Sequence, residues 1–206
     1  MNFILANSSF YVCLEHDLGA SRIVTLKNLR LGEAYTVFGG VIFRRSDRTD
    51  IKNFHDLKGK SFMAAERTSF GGWQMAWREL KEKGIDPHND FASLSFGGTH
   101  DAVVYAVRDG TVDAGTVRTD ALERMAKEGD IRLEDFHVFH RSGSEVHDLP
   151  FPHSTRVYPE WPMAKAEHTP DELAEKVAAA LLKMSPDSPA ATAAICAGWT
   201  IPLNYQ

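Results

Sequence analysis

Twice in the middle of the chain a short apolar run gives way to a glycine-bearing loop, and then to residues with the spacing of a buried helix face. In the first case the run 61–65 leads into Thr68-Ser69-Phe70-Gly71-Gly72. A helix follows, with Trp73, Ala76, Trp77 and Leu80 at i, i+3, i+4 and i+7, and Gly84 where a left-handed cap belongs. In the second, 93–96 leads through Gly97-Gly98-Thr99-His100-Asp101 into a helix carrying Val103, Val104 and Val107 that stops at Gly110. A strand over 112–117, a helix over 120–127 ending at Gly129 and a strand over 136–139 continue the alternation. Strands alternating with helices in this way predict an α/β fold.

The flanks extend the same reading. Residues 3–6 form an apolar run that meets Asn7-Ser8-Ser9, suited to cap a helix beginning near Phe10 and ending by Gly19. Strands are expected over 22–26 and 36–44, the second long enough to cross between two lobes. Residues 140–152 read as a loop, 153–158 as extended chain, and Thr169-Pro170-Asp171-Glu172 as a helix start. Leu173, Val177, Ala180, Leu181 and Met184 stripe that helix, and a second helix is expected over 190–197, closed by Gly198. The order predicts two α/β lobes. Residues 45–152 form one, 1–44 with 153–206 form the other, and the crossings near 40–45 and 152–158 form a hinge of the kind that closes on a ligand.

Composition removes whole classes of function. With 23 Lys+Arg against 28 Asp+Glu over 206 residues the net charge is −5 and the basic residues are scattered, so no nucleic-acid partner is expected. No apolar run approaches the ~18–20 residues of a membrane span, and the start lacks a basic leader region. Neither a membrane anchor nor a signal peptide is expected. Cys13 and Cys196 belong to no CxxC pair; they read as two buried small hydrophobes, or as a single long-range disulfide in an oxidising compartment. His137, His140, His147 and His153 are too loosely spaced for a metal centre, and no cofactor is expected. No placed nucleophile and base suggest catalysis, so the chain is not expected to be an enzyme.

Asp56-Leu57-Lys58-Gly59-Lys60, the Thr68–Gly72 loop, Phe96-Gly97-Gly98-Thr99-His100-Asp101-Ala102-Val103 and Gly110-Thr111-Val112-Asp113-Ala114-Gly115-Thr116 resemble, in this order and spacing, the phosphate/phosphite/phosphonate periplasmic substrate-binding family. Arg156-Val157-Tyr158-Pro159-Glu160-Trp161-Pro162-Met163-Ala164-Lys165 and the ending Ala197-Gly198-Trp199-Thr200-Ile201-Pro202 look most like its branch fused to sensor histidine kinases, tetrathionate-sensor-like kinases among them. The resemblance implies the type 2 periplasmic-binding-protein clamshell with a two-strand hinge. It implies an extracytoplasmic domain that binds a small anion and works with a histidine kinase module or, alternatively, as the free solute-binding protein of an ABC permease. Family members begin with a further strand, helix and strand, so on the order of 30 or more residues of lobe one are expected to be missing here, leaving an unpaired apolar edge.

Site residues follow from helix-start chemistry and from the resemblance. The unpaired N–H groups of a first turn hold an oxyanion without a basic side chain. Thr68 and Ser69 would add hydroxyls and Gly71 a close backbone approach, or else the two hydroxyls only cap the helix. The resemblance implies binding, with Phe70 in place of the family's last hydroxyl hinting at a ligand less phosphate-like or with an apolar part. By the same resemblance His100 is a ligand contact, otherwise a surface residue, while Asp101 serves as the helix-start charge. Thr116 and Arg118 end a strand at the expected cleft, where the guanidinium would suit a carboxylate, sulfonate or other oxyanion, or would pair with Asp120. His153 and Ser154 at the return crossing, and Asn7 and Ser8 from lobe one, complete the set, with Tyr11 and Tyr35 as weaker candidates.

Overall fold

The computed structural model describes residues 1–140 and 149–205. Most of the loop expected at 140–152, including His147, therefore lies outside the described residues. In chain order the elements begin β1 (Phe3–Leu5), α1 (Ser8–Leu18), β2 (Ser21–Arg30), β3 (Glu33–Tyr35), β4 (Val37–Phe38) and β5 (Gly40–Arg45). They continue with β6 (Ser61–Ala64), α2 (Met75–Glu82), α3 (Pro87–Asp90), β7 (Ser93–Phe96), α4 (His100–Arg108), β8 (Ala114–Arg118), α5 (Ala121–Glu128) and β9 (Phe136–Val138). The last are β10 (Tyr158–Pro159), β11 (Pro162–Lys165), α6 (Asp171–Leu182), α7 (Pro189–Ala193) and β12 (Cys196–Thr200).

The chain divides into two compact units, Met1–Phe38 with Tyr158–Gln206, and Gly39–Val157. The strand expected over 36–44 is in fact two, and the division falls between them. Val37 and Phe38 pair with β10, whereas from Gly40 onward the chain pairs with β8. At Gly39 the backbone turns to Thr119, giving its N–H to Thr119 Oγ1 at 3.2 Å and accepting the Thr119 N–H at 2.9 Å. The second unit thus starts six residues before the expected 45, because the strand leaving the first unit is a central strand of the second.

In the first unit the sheet runs β1-β11-β2-β12, with β3 also on β2, and each of these ladders is antiparallel. The helix expected over 190–197 is a correction. Only Pro189–Ala193 is helical, capped by Ser188 Oγ, and Cys196–Thr200 is a strand against β2. Alanine-rich sequence favours helix locally, but Ile195 at φ 50° turns the chain and Gly198 at φ 93° absorbs a register shift in the ladder. α6 is present as expected, yet of its residues only Ala174 is buried; Leu173 is 38% exposed and Leu182 45%. Cys13 is exposed rather than buried, while Cys196 is buried; both are free thiols.

In the second unit the sheet order is β7-β6-β8-β5-β9, with β6 parallel to both β7 and β8, and β5 antiparallel to β8 and β9. Two apolar layers enclose it. Val103, Val104, Val107, Val117, Leu122 and Met125 fill one face, and Ile42, Phe62, Trp73, Ala76, Leu80 and Phe91 the other. Gly115 lets α4 lie close, since a Cβ there would stand 2.7 Å from Val103 Cγ1.

Asp113, from one of the motifs that carry the resemblance, ties the start of β8 to the start of β6. Its Oδ2 accepts the Ser61 N–H at 2.8 Å and the Ser61 hydroxyl at 2.7 Å, and its other oxygen pairs with Arg48. Burial pushes this carboxyl up, but Arg48 and the two Ser61 donors outweigh that and hold it below its ordinary value. A depressed carboxyl stabilises the fold above the unfolded value of about 3.9 and ceases to as pH falls through the folded value. Asp113→Asn is expected to cost about 1–2 kcal/mol at pH 7 in urea unfolding. The gap to wild type should narrow below about pH 4; a gap independent of pH would contradict this role.

Candidate functional site

The parallel strands β6, β7 and β8 end on one edge of the second unit's sheet, and each runs into a helix start. Ligands of open α/β sheets gather at such carboxyl edges, where several helix N-termini point the same way. After β6 the chain makes a single π turn, Phe70–Gln74, before α2; the turn is closed by the Gln74 N–H on the Ser69 carbonyl at 3.1 Å. Single π turns are frequent at functional sites. The helix after 72 therefore begins at Phe70, earlier than its apolar spacing suggests.

Ser69 is the N-cap, its Oγ accepting the Gly72 N–H at 3.2 Å. Thr68 beside it is exposed, Phe70 half-buried and Gly71 buried. Gly72 is the point of closest approach. A Cβ there would lie 2.7 Å from His100 Cε1, 2.7 Å from Ser69 Oγ and 2.8 Å from Ala65 Cβ, so only glycine lets the His100 ring reach this backbone. His100 opens α4, which Thr99 caps through its Oγ1 on the Ala102 N–H at 3.1 Å. The Arg118 N–H donates to His100 Nδ1 at 3.4 Å. With Nδ1 accepting, a neutral imidazole carries its proton on Nε2. Asp101 in the same first turn is ion-paired to Arg124.

In the middle of β8, Thr116 is fully buried and its Oγ1 has no hydrogen-bond partner among the described residues. Alternation along β8 puts Gly115 and Val117 toward α4 and α5, and Ala114 and Thr116 toward the face of Trp73 and the π turn. Arg118 is half-buried and not a free guanidinium. Its Nε donates to Asp120 Oδ1 at 3.2 Å and to the Thr119 carbonyl at 3.4 Å. Asp120 takes φ 73°, a left-handed conformation found disproportionately at functional turns.

His153 and Ser154 also lie in the second unit. His153 Nδ1 is 2.9 Å from the Phe151 carbonyl. The Ser154 hydroxyl is committed to backbone, accepting the Ile42 N–H at 2.7 Å and donating to the Ile42 carbonyl at 3.2 Å. Its geometry is that of a clip on β5. Thr155, which the sequence did not single out, takes the Gly40 N–H at 2.9 Å. A Cβ at Gly40 would stand 3.3 Å from the Gly71 carbonyl, so this return segment and the anion loop flank the same strand.

The remaining candidates belong to the first unit. Asn7 caps α1, its Oδ1 accepting the Phe10 N–H at 2.9 Å, and the buried Ser8 donates to the Pro159 carbonyl. Tyr11 is a core residue. It is fully buried, edge-on to Tyr205 at 5.3 Å, and donates to Glu15 at 2.6 Å. Burial, reinforced by Glu15, pushes its phenol up from the ordinary value. Tyr35 ends β3 and is half-buried.

Sequence reasoning missed Arg67. It precedes the anion loop, and its guanidinium carbon lies 4.6 Å from the centre of the Phe96 ring, at the end of the adjacent strand. Local spacing could not reveal the contact, because it exists only once β6 and β7 pair. Among the described residues no cluster of three or more His, Cys, Asp or Glu could hold a metal ion, and no helix is long and apolar enough to cross a membrane.

The chain shares its fold with the XAC2383 protein from Xanthomonas citri in its ATP-bound structure, at TM-score 0.74 and 18% identity over 99% of this chain and 72% of that one. PhnD1 from Prochlorococcus marinus, in complex with methylphosphonate, matches at TM-score 0.65 and 14% identity, over 98% and 73%. These are type 2 periplasmic-binding-protein likenesses in fold. The tetrathionate sensor histidine kinase TtrS of Salmonella typhimurium is 34% identical over 182 residues, 88% of this chain but about 30% of the kinase's length. A family model described as ABC transporter, phosphonate, periplasmic substrate-binding protein matches residues 1–202. With nearly the whole chain inside that match, the protein belongs to the phosphonate periplasmic substrate-binding family.

Proposed function

We propose that this chain is the ligand-binding input module of a sensor histidine kinase and recognises a small oxyanion such as a phosphonate, sulfonate or sulfur oxyanion on the extracytoplasmic side. Family and fold are those of a binding protein rather than a catalyst. The observation that carries the ligand class is the meeting of Ser69, Gly72 and His100 at the start of two helices, with Thr116 buried on the same face of the sheet. Helix-start N–H groups, a serine hydroxyl and an imidazole donor suit an anion's oxygens, and the helix dipoles favour its charge. Thr68 and Arg118 are assigned as further contacts, the second already neutralised by Asp120.

The likeness to TtrS favours the sensor role. The family's transport description favours a second reading, a free solute-binding protein that delivers the same ligand to an ABC permease. The two share the site and differ in what lies downstream.

A thermal-shift panel on the full chain tests the ligand class, with phosphate, methylphosphonate, sulfate, methanesulfonate, thiosulfate, tetrathionate and small carboxylates as probes. At least one phosphorus or sulfur oxyanion is expected to raise the melting temperature in a saturable manner. A flat response to every phosphorus and sulfur oxyanion in the panel, whether or not a carboxylate shifts it, would overturn the assignment.

A further inference from the structure

Charge is distributed unevenly at this edge. Arg118 is paired with Asp120, and Asp101 with Arg124, so these four side chains cancel. Arg67 has no such partner. Among the described residues it makes neither an ion pair nor a hydrogen bond, and its guanidinium lies over the Phe96 ring, 4.6 Å from the centroid. Glu66, next to it in sequence, is exposed and turns its carbonyl to the Ser69 N–H without pairing with the guanidinium through its side chain. A cation held on an aromatic face keeps its N–H donors available and is oriented at little entropic cost, because the planar fork is already fixed. It stands one residue before Thr68 and two before the Ser69 cap, on the loop whose backbone opens the π turn leading into α2. The half-buried Phe96 in turn is set by Trp73, whose ring meets it edge-on at 5.7 Å.

We infer that Arg67 sets the charge class of the ligand, so that the site takes dianionic oxyanions in preference to monoanions of similar size. This rests on the site proposed above. Helix-start N–H groups and the Nε2–H of His100 serve one negative charge; the uncompensated guanidinium supplies the counter-charge for a second. Phe96 is a positioning residue that holds the fork beside the loop.

The test is calorimetric titration of the full chain with two matched pairs, sulfate against methanesulfonate and ethane-1,2-disulfonate against ethanesulfonate. Wild type should favour the dianion of at least one pair by about tenfold or more, the worth of one charge-assisted hydrogen bond. Arg67→Gln should reduce that preference to within about threefold while leaving the monoanion's affinity nearly unchanged, and Arg67→Lys should retain part of it. Phe96→Leu should fall between. The proposal is overturned if Arg67→Gln weakens both members of a pair alike, or if the preference survives. Thr68→Val/Ser69→Ala separates the two levels of the argument: persistent binding of both members in that variant would reject the site itself. Wild type that binds none of the four overturns the selectivity, and the site falls with it only if the phosphorus and sulfur oxyanions of the thermal-shift panel are silent as well.

Discussion

Trp73→Ala should lower the stability of the chain by about 3–5 kcal/mol, the cost of truncating a large, fully packed aromatic. Trp73 is 2% exposed and sits where the π turn meets the apolar face of the sheet. Its ring is stacked on Trp77 at 5.8 Å, edge-on to Phe96 at 5.7 Å and tilted against Phe62 at 6.5 Å. Removing it opens a cavity under both the helix start and the ring that carries Arg67. Trp77, 37% exposed on the outer side of the same stack, gives the control; its replacement by Ala should cost roughly 1 kcal/mol, the worth of one aromatic pair. Urea unfolding of the two variants checks the ranking. Equal losses, or a loss below about 1.5 kcal/mol for Trp73→Ala, would mean that the turn is not anchored by this ring.

The packing role of Trp73 was legible from its i, i+3, i+4, i+7 spacing, and so was most of the second unit. Its strands and helices alternate within short stretches, and caps such as Ser69, Thr99 and the positive-φ Gly84 and Gly129 act on their own neighbours. The motifs that carry the resemblance divide in two once the fold is known. Asp113 and Gly115 are structural, one a clamp between strand starts and the other a close approach for α4. Ser69, Gly72 and His100 converge on the carboxyl edge.

What failed to show in the sequence depends on distant pairing. Residues 190–197 read as helix from composition, but from Cys196 onward the chain is strand because β2 offers it a ladder. Gly39 divides an apolar run because its partners, Thr119 and β8, come from far along the chain. Sequence alone could not show that the Ser154 hydroxyl bonds the Ile42 backbone, and it leaves the pairing of Arg118 with Asp120 as one of two open alternatives. Arg67 gave no local signal, since its meaning comes from Phe96 on the neighbouring strand.

The claim that the Thr68–Gly72 loop is the anion seat is tested most directly by measuring stabilisation of wild type and of Thr68→Val/Ser69→Ala side by side, using the anion that shifts wild type most. A ligand present at about 100 times its dissociation constant adds about 2.7 kcal/mol to the stability of the state that binds it. Without ligand the variant should remain folded and lose about 1 kcal/mol, because Ser69 Oγ also caps the Gly72 N–H. With ligand the account predicts the full stabilisation in wild type and none, or only a few tenths of a kcal/mol, in the variant. Equal stabilisation of both proteins would place the anion elsewhere and contradict the account.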